Sequence, residues 1–176
     1  MNALLSISEE EFNQKVEIRF ESIIDGLNNY NNAVLEPKEV KDLCLIEEDF
    51  IGFIKDIYRT SKSNKENLIV DLYLPRLTNG EFENLYNALN EEDKIILMKI
   101  RNCRLNSNYF MVMDEEIIGF LVRLCTRELF FITFYFFKCP LTIWGNYNLK
   151  FPIFYMTEDD IKTYSNLIDK HNLKLS

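Results

Sequence analysis

Glycine and proline are scarce, five and four in 176 residues, so the chain holds no low-complexity linker. Histidine and tryptophan occur once each, as His171 and Trp144. Any triad or His-containing metal centre would have to use His171. Its place near the end of a helical period already gives it a structural role against the helix dipole. No Lys/Arg run occurs, and 20 basic residues face 28 acidic ones for a net charge of −8. A free-standing nucleic-acid binder shows a basic face, so no nucleic-acid partner is expected. The phosphate-loop, dinucleotide, nucleophile-elbow and zinc-protease patterns are all missing. No catalytic set, metal site or cofactor is implied.

The four cysteines, Cys44, Cys103, Cys125 and Cys139, form no CxxC pair. Reduced, mostly buried thiols in a cytoplasmic protein are the simplest account, and Cys139 before Pro140 reads as a structural thiol. The opening MNALLSISEEEF has neither the basic region nor the long apolar run of a signal peptide. Residues 117–137 are long enough to cross a bilayer. However, Arg123, Arg127 and Glu128 interrupt them, each costly at the bilayer centre, so no membrane span is expected.

What the chain does have is apolar and aromatic. Hydrophobic residues make up 47% and aromatics 14%, enough for a ring-rich core, and 27% charged residues argue against disorder. Seven of the 14 Phe (130, 131, 134, 136, 137, 151, 154) and the single Trp fall within 129–156. This stretch is expected to form the central strands of a sheet. Both alternating sets of 129–138 are apolar, which predicts burial on both faces. Residues 141–144 resume after Cys139 and Pro140, a turn follows at 145–148, and 149–156 returns. Pro152 predicts an edge or a bulge there.

Around that centre the chain reads as helices. Ser8 and Glu11 form a capping box opening a helix to about Asn28, with Phe12, Val16, Phe20, Ile23, Ile24 and Leu27 at helical spacing. Pro37 fits a helix first turn, with Val40, Leu43 and Cys44 on a short apolar face. A helix opening at Glu47 carries Phe50, Phe53, Ile54 and Ile57. A polar loop spans 61–67, and residues 68–74 alternate as a strand stopped by Pro75. Asn79 and Gly80 signal a turn, followed by a helical face of Phe82, Leu85, Tyr86 and Leu89. Another helix carries Ile96, Ile100 and Cys103 and breaks at 106–108. A strand at 109–113 precedes a helix whose polar side is Gly119, Arg123, Thr126 and Arg127. A last helix carries Ile161, Tyr164, Leu167 and Ile168. The expected fold is one α+β domain over 1–176: a helix-rich N-terminal half packed with a small, mainly antiparallel, aromatic-rich sheet and a C-terminal helix. Within it residues 1–105 can form a helical lobe and 106–176 a sheet-centred part.

Acid comes in five groups: Glu9, Glu10 and Glu11; Glu47, Glu48 and Asp49; Glu91, Glu92 and Asp93; Asp114, Glu115 and Glu116; Glu158, Asp159 and Asp160. Each stands where a helical period begins, so each is read first as helix capping and dipole compensation. Several helix starts on one side would still make an acidic binding surface. The candidate binding residues are therefore Glu47, Glu48, Asp49, Glu91, Glu92 and Asp93, together with Trp144 and Tyr147 as rings at a hairpin tip.

These features predict a non-enzymatic cytoplasmic protein that acts by binding another protein. The specific expectation is an immunity or inhibitor protein neutralising a basic partner such as a nuclease toxin, by fast, salt-sensitive association. The alternative is a small-molecule-binding regulatory domain with a pocket between the aromatic sheet and a helix. Homodimer formation through a sheet edge fits either.

Overall fold

The computed structural model describes residues 3–60, 67–101 and 107–176. The polar loop expected over 61–67 lies outside them except for Asn67, and so do Cys103 and Asn106.

Eight strands among the described residues form one antiparallel sheet: β1 (Leu4–Ser6), β2 (Asn31–Pro37), β3 (Leu68–Asp71), β4 (Tyr109–Val112), β5 (Thr133–Phe136), β6 (Leu141–Trp144), β7 (Phe151–Tyr155) and β8 (Leu173–Leu175). Their spatial order is β1-β4-β3-β5-β6-β7-β2-β8. The helices are α1 (Glu9–Lys15), α2 (Ile23–Asn29), α3 (Leu43–Thr60), α4 (Asn79–Ala88), α5 (Glu91–Arg101), α6 (Glu116–Thr126) and α7 (Glu158–Lys170). The α+β architecture and C-terminal helix read from the sequence are present. The aromatic stretch supplies the three successive neighbours β5, β6 and β7.

The sheet is covered on both faces, and strand alternation divides its side chains between them. Phe134, Phe136, Leu141, Ile143, Phe151 and Ile153 belong to the main core, with Phe50, Phe53, Ile54 and Ile57 of α3 and the apolar side of α6. Helix α3 packs on both α6 and α7. On the opposite face Ile69, Met111 and Tyr135 meet Ile7, Phe12 and Val16 in a smaller cluster. Residues of β5 are buried throughout, as expected for a strand covered on both sides.

The second cover is not the single helix expected from Ser8 to Asn28. Ser8 does cap α1, accepting from the Glu11 N–H at 3.0 Å, but α1 ends at Lys15 and Ser22 caps a new helix, α2. The run Val16, Glu17, Ile18, Arg19, Phe20 satisfies two periods at once. Read at four residues it is helical; read at two it buries Val16 and Ile18 and exposes Glu17 and Arg19, which is what the structure shows. β-Branched residues favour the second reading. The Ile18 carbonyl then accepts the buried Thr142 hydroxyl at 2.7 Å, and Tyr30 donates to the Arg19 carbonyl at 3.1 Å.

Other local readings change for similar reasons. Pro37 ends strand β2 instead of opening a helix, and β1, β2 and β8 were not foreseen. Val40 and Leu43 are exposed, not a packed face. Helix α3 begins at Leu43, so Glu47 lies inside it and does not open it. Asn79 and Gly80 are the first residues of α4, capped by Thr78 and Glu81 in a full capping box. Pro75 sits in a short 3₁₀ turn after β3. Asn67 is fully buried and ties α3 to the turn after β5, donating to the Ile57 carbonyl and accepting from the Lys138 N–H.

Strand β7 is interior, between β6 and β2, despite Pro152. The β6 pairing stops at Ile153, and Val34, opposite Pro152, gives its N–H and carbonyl to Ser176 instead. The ring's missing N–H therefore falls where the ladder has already ended. Strands β1, β2 and β3 come from the first 105 residues and join the same sheet as the later ones.

Candidate functional site

Strand register fixes a row of side chains on the second face. Tyr109 of β4 stands opposite Asp71 of β3, and Thr133 of β5 opposite Trp144 of β6. Asp71 and Thr133 join across β3 and β5, the Thr133 N–H donating to Asp71 Oδ1 at 2.7 Å. The cover over this row is discontinuous. Phe12 of α1 stacks on Tyr109, with centroids 3.7 Å apart and planes 6° apart, and meets Tyr135 edge-on at 5.0 Å. On the other side Phe20 stacks on Trp144 at 5.5 Å and 7° and meets Phe154 edge-on at 4.5 Å. Gly26 of α2 makes this approach feasible, since a Cβ there would lie 3.0 Å from both Phe20 and Phe154.

Between these two aromatic stacks lies a cavity of about 400 Å3. Asp71 and Thr133 contribute to it with Tyr109, Tyr135, Phe20 and Trp144, and Tyr73, Phe131, Ile132 and the exposed Glu21 complete the lining. The cavity is thus ring-walled and its charged groups are both carboxylates. No cation is paired with Asp71 or Glu21 among the described residues.

Burial raises the Asp71 pKa to about 6, against the lowering effect of hydrogen bonds from Thr133 and the local backbone. The carboxyl is therefore mostly ionised at neutral pH and titrates just below it. A carboxylate perturbed by desolvation in a cleft marks a functional-site candidate. Burial, and then the Asp71 charge, raise the Tyr135 phenol. Tyr109 moves the same way, by burial first and then by its neighbours Tyr73 and Asp71. The tyrosines are therefore neutral rings across the physiological range.

Of the residues singled out from sequence, Trp144 lines this cavity. Tyr147 stands just outside it, exposed, packing edge-on against Phe131 at 4.4 Å. The acidic candidates lie elsewhere and divide sharply. Glu47 is buried and takes a two-pronged ion pair from Arg127 at 2.7 and 2.9 Å, plus the Thr126 hydroxyl at 3.1 Å. Asp93 is fully buried and takes the fork of Arg123, with Nε at 2.9 Å. Neither offers charge to a partner, and the supposed polar side of α6 is a buried clamp on α3 and α5. Asp49 is half-buried between Lys41 and the Asn172 amide. Glu91 is exposed and paired with Lys94, while Glu48 and Glu92 are exposed.

His171 caps the end of α7 and meets Asp56 of α3 at 2.7 Å, over Gly52. Among the described residues no three His, Cys, Asp or Glu side chains converge as metal ligands. The site residues that sequence reading missed are Asp71, Tyr73, Tyr109 and Tyr135. The available signal was Asp71 itself, the one charge inside the apolar run LIVDLYL at 68–74. Compared with protein-family models, curated proteins and solved structures, the chain shows no significant match to any.

Proposed function

We propose that the protein acts by binding, and that its recognition site is the aromatic pocket around Asp71. The observation that carries this reading is an ionised carboxylate held without a paired cation in a cavity of about 400 Å3 walled by rings. Binding pockets combine an apolar, aromatic lining with a few placed polar groups, and this one does so. The pocket lies between the sheet and the non-helical run that carries Phe20 and Glu21, not under a helix, and its lining supports a small-molecule-binding regulatory domain. Because the single tryptophan lines it, Trp144 emission reports occupancy directly. A panel of metabolites of mixed charge titrated against Trp144 fluorescence should give a saturable response for some members. A panel that leaves the emission unmoved would count against the pocket as a site.

Inhibition of a basic protein is a second reading, favoured by the net charge of −8 and the exposed Glu48, Glu91 and Glu92 on the helical side, across the sheet from the pocket. It predicts capture of a basic protein at low salt and its release at high salt, abolished by neutralising those three residues. The cytoplasm suits both readings. Among the described residues Cys44, Cys125 and Cys139 are free thiols, but only Cys125 is buried; Cys44 and Cys139 are exposed, against the expectation of mostly buried thiols. Burial pushes Cys125 up to about 12, which makes it inert. No helix among the described residues is long and apolar enough to cross a membrane.

A further inference from the structure

We infer that the pocket takes an alkylated ammonium cation, held over the aromatic rings with Asp71 as its counter-ion. This assignment rests on the pocket being the recognition site. Three observations carry it.

The first is charge. Asp71 and Glu21 put two carboxylates on one small cavity, and among the described residues no Lys, Arg or His lines it. An anionic ligand would be repelled, and a neutral one would leave the Asp71 charge uncompensated in a partly desolvated site. The second is the wall. Tyr73, Tyr109, Phe131, Tyr135 and Trp144 line the same cavity as the carboxylate, and ring faces carry the negative end of the aromatic quadrupole. Such faces attract cations, and clusters of them recognise quaternary ammonium groups. Rings and carboxylate thus ask for the same occupant.

The third is hydrogen bonding. Asp71 already accepts the Thr133 N–H at 2.7 Å on Oδ1. One Asp71 oxygen is thereby engaged, and most of the remaining lining is aromatic, so the five donors of a guanidinium or the three of a primary ammonium find few further charged acceptors. Either would leave N–H groups facing rings after losing water. An alkylated ammonium has few donors or none, so it loses nothing by this and needs only Coulomb attraction and ring contact.

Choline and its neutral carbon isostere, dimethylbutanol, have the same shape and differ by N⁺ for C. Titrated into the full chain at neutral pH and followed by Trp144 emission, choline should saturate and bind at least about tenfold more tightly than the alcohol. Asp71→Asn should cut choline affinity by about tenfold or more without changing the response to the alcohol. Tyr73→Ala lies at an exposed rim position, so it should keep the melting temperature while weakening choline by roughly threefold to tenfold. A short peptide carrying one trimethyllysine distinguishes the source of the cation. Tighter binding than choline assigns it to a protein partner, and weaker binding to a free metabolite; both support the ammonium. Equal affinity for choline and the alcohol would overturn the cation and leave the pocket standing. Silence towards choline, alcohol and peptide would overturn the cation as well. If the wider metabolite panel is also silent, the pocket reading falls with it.

Discussion

Glu47 and Asp93 share the sequence context of Glu48 and Glu92, yet the fold uses them differently. Each enters the interior because α6 brings an arginine to it, Arg127 to Glu47 and Arg123 to Asp93. Removing one member of a buried ion pair leaves the other charge uncompensated, at about 3–5 kcal/mol. Glu47→Ala and Asp93→Ala should therefore each cost about that much in urea unfolding, while Glu48→Ala and Glu92→Ala stay within about 0.5 kcal/mol. Equal effects at all four positions would refute the division. The sequence shows acid at helix starts, and it also shows Arg123 and Arg127 one turn apart. It does not show that α6 lies between α3 and α5, which is what turns a capping pattern into a clamp. Asp71 is a residue of the other kind, kept at a cost. Its folded pKa lies about two units above the ordinary value, so Asp71→Asn should stabilise the free protein at neutral pH by about 1–2 kcal/mol after allowance for solvent at the pocket mouth. A loss of stability there would mean a structural role.

Elements were legible where one period held over many residues. The inward set Phe50, Phe53, Ile54 and Ile57 of α3 and the set Ile161, Tyr164 and Ile168 of α7 are all buried, as their spacing requires. Strands β5, β6 and β7 followed from their ring content. Legibility failed where two periods coincided, as over 16–20, and in strands of three residues such as β1 and β8, too short to carry any period. Strand β2 hid behind its flanks, because Asn31, Asn32 and Pro37 are poor strand residues and its pairing partners are far along the chain. Two glycines test the local reading. A Cβ at Gly145 would lie 2.5 Å from Cys125 Sγ and 2.8 Å from the Ile132 carbonyl, whereas one at Gly80 meets nothing. Gly145→Ala should destabilise by about 1–3 kcal/mol, and Gly80→Ala, in the first turn of α4, should stabilise by roughly 0.5–1 kcal/mol. Thermal melts of both variants decide it.

At the scale of the whole molecule, one sheet separates two environments. The helical side is closed by buried ion pairs and by the junction of α3 with α7, where Lys170 and His171 reach Asp56 at 2.6 and 2.7 Å. Burial works to raise Asp56, but those hydrogen bonds outweigh it and hold the carboxyl below its ordinary value. Its contribution to stability is complete above that value and is lost as pH falls through the depressed one. Asp71 acts with the opposite sign. Its folded value of about 6 exceeds the ordinary 3.8, so the folded state gains stability as pH falls from about 6 towards 3.8. The ligand-free protein should be more stable near pH 5 than at pH 7 by about 1–2 kcal/mol through Asp71 alone, and should then lose stability below about pH 4 as Asp56 protonates. Asp71→Asn should erase the first change and keep the second.

The far side of the sheet is covered by two short helices and the non-helical run between them, and that interrupted cover leaves the pocket. The most direct test is the carboxyl carbon resonance of Asp71 followed through a pH titration, with and without saturating choline. The midpoint is expected near 6 in the free protein, moving down by about one unit or more when the cation is bound. A free-protein midpoint near the ordinary 3.8, unmoved by choline, would contradict both the desolvated pocket and its occupant.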